Sequence, residues 1–132
     1  MSIPGRVVLD TSIVIAHFRN ETAVTDKFRR VSVLVLPSIA LGELFVGAFR
    51  KENNREKALQ TVADFAGLAH ILCPNATTAR EYGRLRVSLL RKGTPIPDND
   101  LWIAALAVQC QIPLANRDSH FDKVDDLSQE KW

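Results

Sequence analysis

Residues 6–19 read Arg6-Val7-Val8-Leu9-Asp10-Thr11-Ser12-Ile13-Val14-Ile15-Ala16-His17-Phe18-Arg19. The order of residue types in this stretch decides the fold class. Arg6–Leu9 is a short apolar run rich in β-branched side chains, which predicts a buried strand. The strand ends at Asp10. Thr11 and Ser12 are helix-starting residues, and the apolar stretch behind them predicts a helix through Ile13–Arg19.

The same alternation continues outward. Val24–Arg30 reads as helical, and Val33–Leu36 as a second apolar strand. Ser38 is a good N-cap for a helix whose apolar residues at 39, 41, 44, 45, 48 and 49 make one stripe. That stripe fades in the polar segment Lys51–Asn54, and a further helix is expected over about residues 55–67. His70–Cys73 predicts a third strand stopped by Pro74. Ala76–Lys92 predicts a long helix ended by Gly93. A rigid loop, Thr94–Pro97, precedes a helix over about Asp98–Gln111. Ile112–Ala115 predicts a fourth strand, with room for a fifth near Val124. Strands separated by helices imply an α/β fold with a mostly parallel sheet covered on both faces. The absence of repeats, linkers and low-complexity tracts predicts a single domain over residues 1–132.

Composition sets the outer bounds. The chain has 132 residues, 46% hydrophobic and 24% charged, with a formal net charge of +2. Such a chain can bury a core without disulfides. Its two cysteines, Cys73 and Cys110, make no disulfide framework. No apolar run approaches the roughly 20 residues that a membrane-spanning helix needs, and the first residues lack a signal-peptide layout. A cytoplasmic protein is the expectation. Basic residues gather at Lys27, Arg29 and Arg30, at Arg50, Lys51, Arg55 and Lys57, and at Arg80, Arg84, Arg86, Arg91 and Lys92. They read either as solvated helix faces or as a surface for a polyanion. Arg84, Arg86 and Arg91 are the candidates for nucleic-acid contact.

In a parallel sheet, ligands bind beyond the carboxyl ends of the strands, where strand order reverses. Acids fall where that rule looks for them. Asp10 follows the first strand, and Glu43 lies early in the helix after the second. Asp98 and Asp100 open the helix before the fourth strand, and Asn116 and Asp118 follow that strand. Ser12 and Ser38 add hydroxyls. Each acid has a structural reading as well. Asp10 equally caps the first helix. Asp98 reads first as an N-cap after Pro97, Asp100 suits the helix dipole, and Asp118 can cap the turn behind it. Glu43 is the most telling, since its neighbours are nearly all apolar or Gly and a buried carboxylate needs a partner.

Clustered carboxylates repel, on the order of 4 kcal/mol per pair at about 4 Å in an effective dielectric of about 20. A cation relieves that repulsion, and all-oxygen ligands select hard ions such as Mg²⁺ or Mn²⁺. Such an ion can activate water and stabilise phosphoryl oxygens. The histidines His17, His70 and His120 lack zinc-ligand spacing and read as surface or edge residues. Ser119-His120 has no nucleophile elbow around it, and neither a P-loop nor a G-x-G-x-x-G motif is present. Trp102, Phe45 and Phe49 fall on apolar stripes and read as core. Two further function classes stay open at this level. One is a phosphatase or phosphoacceptor domain with Asp10 as nucleophile, although position 12 is Ser and no late strand carries a Lys. The other is a non-catalytic RNA-binding module, which would not need Glu43.

Four segments taken together resemble PIN-domain nucleases, and among them the VapC toxins of bacterial toxin–antitoxin modules. They are Val8-Leu9-Asp10-Thr11-Ser12, Leu41-Gly42-Glu43-Leu44-Phe45-Val46-Gly47-Ala48, Ile96-Pro97-Asp98-Asn99-Asp100-Leu101-Trp102-Ile103-Ala104-Ala105, and Leu114-Ala115-Asn116-Arg117-Asp118-Ser119-His120-Phe121. The resemblance spans essentially the whole chain. It implies a three-layer α/β/α sandwich with a five-stranded, mainly parallel sheet, and a Mg²⁺- or Mn²⁺-dependent endoribonuclease. Asp10, Glu43 and Asp100 match the family's three acids, and Asp118 falls on a variable fourth. Asn116 stands where Thr or Ser is more usual, and Asp98 is an additional acid. The resemblance also implies an RNA substrate, a homodimer, and a VapB-like antitoxin whose C-terminal segment fills the active-site groove.

Overall fold

The computed structural model describes residues 5–132. Five strands form one sheet: β1 (Arg6–Leu9), β2 (Val33–Pro37), β3 (His70–Leu72), β4 (Leu114–Asn116) and β5 (Gln129–Lys131). Their order is β3-β2-β1-β4-β5, and every neighbouring pair is parallel. The helices are α1 (Thr11–Phe18), α2 (Thr22–Arg30), α3 (Ser38–Phe49), α4 (Arg55–Leu68), α5 (Ala76–Lys92) and α6 (Asp98–Cys110), with a short 3-10 helix, η1, at Ser119–Lys123. Val7, Val8 and Leu9 are all fully buried. Successive strand residues point to opposite faces, so β1 is covered on both sides. This is the expected sandwich, with its core built on β1, β2 and β4 and its less buried edges at β3 and β5.

The strand order places the site. From β1 the chain steps outward to β2 and β3, then crosses back to lay β4 on the other side of β1. The order therefore reverses between β1 and β4, where Val8 pairs with Leu114 and Leu9 with Ala115. A parallel sheet requires helices that run back against the strands. Hence α1, α3 and α6 all begin at the carboxyl edge. Their positive dipole ends face the rim where the acids lie.

Several boundaries differ from the sequence reading for identifiable reasons. Ser38 and Asp98 are not N-caps. Pro37 and Pro97 hold those positions in extended backbone, and each following residue is the first of its helix. The α6 helix stops without glycine, because Gln111 itself adopts the left-handed conformation at φ 56°. The α5 helix matches its expected span. It opens with an Asn75–Thr78 capping box and closes at Gly93, φ 70°. The fourth strand begins two residues later than expected, after Pro113, which has no N–H for the ladder. The fifth strand is not near Val124. That region is η1 and a turn, and the strand is Gln129–Lys131. An edge strand needs only one paired side and tolerates polar residues, so its apolar signal is missing. Phe49 is not core either. It is 61% exposed on the outer face of α3, with Val46 also exposed and Phe45 half-buried. Trp102 is half-buried and stacks on Tyr82, centroids 4.1 Å apart. No helix among the described residues is long and apolar enough to cross a membrane, and both cysteines are free.

Candidate active site

Asp10 is the first residue beyond β1, and its N–H continues the ladder by donating to the Ala115 carbonyl at 3.0 Å. The backbone is thus fixed on both sides before the carboxylate emerges. Asp10 is only 5% exposed. Burial pushes its pKa up. The Ser12 hydroxyl, which donates to Oδ2 at 2.7 Å, pulls it down, as do the neighbouring backbone N–H groups. The charge of Asp118 raises it again. Despite its position, Asp10 makes no side-chain cap bond to α1. The reading of Asp10 as a plain helix cap is therefore set aside, and Ser12 is its partner.

Glu43 sits in the second turn of α3 and reaches back to α1, where Thr11 Oγ1 donates to its Oε1 at 2.9 Å. It is half-buried, less enclosed than its apolar neighbours suggest. The outer face of α3 is open to solvent, and that is why the enclosure is incomplete. Thr11 was not singled out from sequence, since its role depends on a contact 32 residues away.

Asp100 projects from the first turn of α6. Its pKa is raised, first by burial and then by the charges of Asp10, Asp118 and Glu43, against the lowering effect of a bond from His120. Those charges place all four acids in one electrostatic neighbourhood. Asp118 opens η1 and caps it, accepting the His120 N–H through Oδ1 at 2.9 Å. The turn folds the imidazole back, so that His120 Nδ1 lies 3.2 Å from Asp100 Oδ2 and 3.2 Å from Asp118 Oδ2. One ligand atom from each of Asp100, Asp118 and His120 falls within a 4.8 Å cluster. His120 is the functional candidate that the sequence reading passed over. Its one available signal was the spacing Asp118-Ser119-His120, which returns a side chain to its own N-cap only if residues 119–123 form a tight turn.

The remaining candidates separate. Asn116 is fully buried, but its amide is spent away from the acids. Nδ2 donates to the Leu114 carbonyl and Gln129 Oε1 at 3.2 and 3.1 Å, while Oδ1 accepts from the Asp118 N–H at 3.2 Å and Lys131 Nζ at 2.8 Å. It positions Asp118 and ties β4 to β5. Asp98 is not brought into the cluster. Two residues from Asp100 on a helix means about 200° of rotation, and its carboxylate meets Tyr82 and Arg86 on α5 instead. Arg84 is likewise engaged, by Glu81 at 2.8 Å and Asp126 at 3.1 Å. Arg91 is exposed near the end of α5.

Asp100, Asp118 and His120 offer ligand atoms within 4.8 Å of one another, and Asp10 and Glu43 stand outside that group but within its electrostatic reach, a donor set whose negative charge fits a divalent cation. Hydroxyl and amide groups hold their orientation, as the outer partners of metal ligands commonly do.

The chain and its fold have counterparts. Residues 7–127 match the PIN domain as a family. Ribonuclease VapC1 of Haemophilus influenzae strain R2866 is 30% identical over 132 residues, covering 95% of this chain and 96% of its own. VapBC2 from Rickettsia felis, solved bound to a DNA fragment from its promoter, superposes with a TM-score of 0.89 at 25% identity, covering 96% of this chain and 98% of its own. VapBC-5 from Mycobacterium tuberculosis, a member of the VapBC family of toxin–antitoxin systems, gives 0.79 at 28% identity over 98% of this chain and 100% of its own. With the family matched over nearly its full length and the acids gathered where strand order reverses, the chain belongs to the PIN-domain family, with ribonucleases of the VapC type among its relatives.

Proposed function

We propose that this chain is a Mg²⁺- or Mn²⁺-dependent endoribonuclease and the toxin of a VapBC-type pair. One observation carries the reading: Asp100, on α6, lies in the field of acids from three other elements at the β1/β4 switch point. A phosphoacceptor domain built on Asp10 alone would leave Glu43 and Asp118 without a task. A module that only binds RNA would have no use for the cluster.

Asp10 and Asp100 would be the main ligands of the cation, with Asp118 and Glu43 completing the set. When bound, the ion supplies Lewis-acid activation of water and neutralises charge at the scissile phosphate. The chain's own residues do the positioning. Ser12 holds the Asp10 carboxylate, and Thr11 holds Glu43, which orients the attacking water. Asn116 and Lys131 hold the backbone of Asp118 at its N–H and carbonyl. Among the described residues, Arg84 and Arg86 each face a carboxylate and Arg91 faces none, and Arg91 suits the RNA backbone. The likeness to VapBC complexes supports a VapB-like antitoxin partner, and a homodimer belongs to the same reading. The exposed Val46 and Phe49 on α3 give such contacts an apolar surface.

The test is incubation of the purified, antitoxin-free chain with mixed RNA in Mg²⁺ or Mn²⁺, with and without EDTA. Cleavage that EDTA abolishes is the expected result. RNA binding without turnover in either ion overturns the enzyme reading.

A further inference from the structure

We propose that His120 is a direct ligand of the divalent ion, and that its imidazole nitrogen biases the site toward Mn²⁺ over Mg²⁺. The proposal rests on the reading of the acid cluster as a cation site, and it departs from the all-oxygen ligand set that the acids alone suggest.

The geometry points this way in three respects. First, His120 Nδ1 faces two carboxylates at once, 3.2 Å from Asp100 Oδ2 and 3.2 Å from Asp118 Oδ2. Adjacent ligands of an octahedral ion at about 2.1 Å stand about 3.0 Å from one another. A cation can therefore be held among the three groups with little movement of any of them. Second, the backbone that carries the imidazole is fixed. The main-chain N–H of His120 donates to Asp118 Oδ1 at 2.9 Å, and the next residue, Phe121, is fully buried, with its carbonyl accepting from Gln129 Nε2 at 3.2 Å. Both sides of η1 are thus anchored, and Lys131 Nζ fixes the Asp118 carbonyl at 3.0 Å. Third, the Asp118 carboxylate divides its labour: Oδ1 caps the turn and Oδ2 faces the ring. One residue both forms η1 and aims the nitrogen that η1 carries.

Donor chemistry supplies the preference. Mg²⁺ favours oxygen and gains little from imidazole, whereas nitrogen donors strengthen binding of first-row transition ions. With His120 in the set, Mn²⁺ gains relative to Mg²⁺.

The experiment uses the full, antitoxin-free chain and the ions themselves. Pulsed EPR of the Mn²⁺-loaded protein should show nitrogen modulation from a coordinated imidazole. His120→Ala should remove that signal while leaving the circular dichroism spectrum unchanged. By calorimetry, His120→Ala should weaken Mn²⁺ by about tenfold or more and Mg²⁺ by less than about threefold, and His120→Gln should behave like His120→Ala. Bound Mn²⁺ without nitrogen coupling in the unaltered chain overturns the proposal. So does equal weakening of both ions, which would make His120 only a positioning residue. Asp100→Asn separates the two levels. If it binds Mn²⁺ as well as the unaltered chain does, the cation-site reading itself falls. If it loses Mn²⁺ while nitrogen coupling is absent from the unaltered chain, only the role of His120 falls.

Discussion

On one side of the β1/β4 switch point, Asp10 and Glu43 are each met by a neutral hydroxyl, from Ser12 and Thr11. On the other side, Asp100 and Asp118 share a single imidazole. The hydroxyls orient their carboxylates without altering the charge around them. The imidazole brings a ring nitrogen between two carboxylates, so that half of the site differs in donor type. The supports differ as well. The hydroxyl half stands on β1, fully buried from Val7 to Leu9, on the first turn of α1 and on the second turn of α3. The imidazole half stands on the start of α6 and on a 3-10 turn held by side chains from the edge strand β5. A rigid half and a pinned loop meet over one cluster.

The largest effect should come from Asp100, which belongs to the second half but feels acids of both. Asp100→Asn should lower cleavage by about 10³-fold or more, several kcal/mol of lost stabilisation at the reacting phosphate. The fold should survive, because the carboxylate is half-buried and already pushed toward its neutral form. Retained activity in a folded variant would break the comparison at its centre. Thr11→Ala and Ser12→Ala sharpen it. Each removes only an orienting bond, and each should cost about 10–100-fold in cleavage rate or metal affinity. A loss as large as that of Asp100→Asn would mean that the hydroxyls touch the reaction directly.

Asn116→Ala should act on stability first. It leaves the Asp118 N–H without its side-chain acceptor and the Leu114 carbonyl without its side-chain donor at a fully buried position, a loss of about 1–3 kcal/mol. Thermal unfolding should show it as a lower midpoint. Millimolar Mg²⁺ or Mn²⁺ should raise the midpoint of the unaltered chain. At about ten times the dissociation constant the gain is about 1.4 kcal/mol, or a few degrees. No shift in either ion would count against a preformed site.

The smallest effect lies away from the site. His17 packs against Phe28 and Phe65, ring centroids 4.6 and 5.8 Å away, with Nδ1 3.0 Å from Thr25 Oγ1. Burial holds its pKa below the ordinary 6.5. The unfolded chain therefore binds the proton more readily. The stability His17 contributes is present above the unfolded value of about 6.5 and falls away as pH drops through the folded one. His17→Phe should flatten stability against pH in that window, by calorimetry or fluorescence. An unchanged slope would contradict the assignment.

How much of this was legible in the sequence follows the same division. Asp10 was visible because it ends an apolar strand, Asp100 because it opens a helix, and Glu43 because an acid among Leu, Gly and Phe calls for a partner. All three are local signals. The five-strand parallel architecture was legible too, except for Gln129–Lys131, whose polar residues carry no pattern. Asp98 misled because residues two positions apart lie on opposite sides of a helix. His120 was missed because its position depends on a turn capped by Asp118, and the way Asn116 acts, through the Asp118 N–H and partners on β5, depends on contacts that its own sequence neighbourhood does not show. Phe49 looked like core because periodicity identifies an apolar stripe without saying whether anything covers it.

The central claim is that the two halves serve one site, and a double-mutant cycle on cleavage tests it most directly. Glu43→Gln belongs to the hydroxyl half and Asp118→Asn to the imidazole half, and neither is expected to reach the floor of activity alone. If both halves act on one cation and one phosphate, the combined variant should lose much less than the product of the single losses. Losses that simply multiply would show two independent groups and contradict the account.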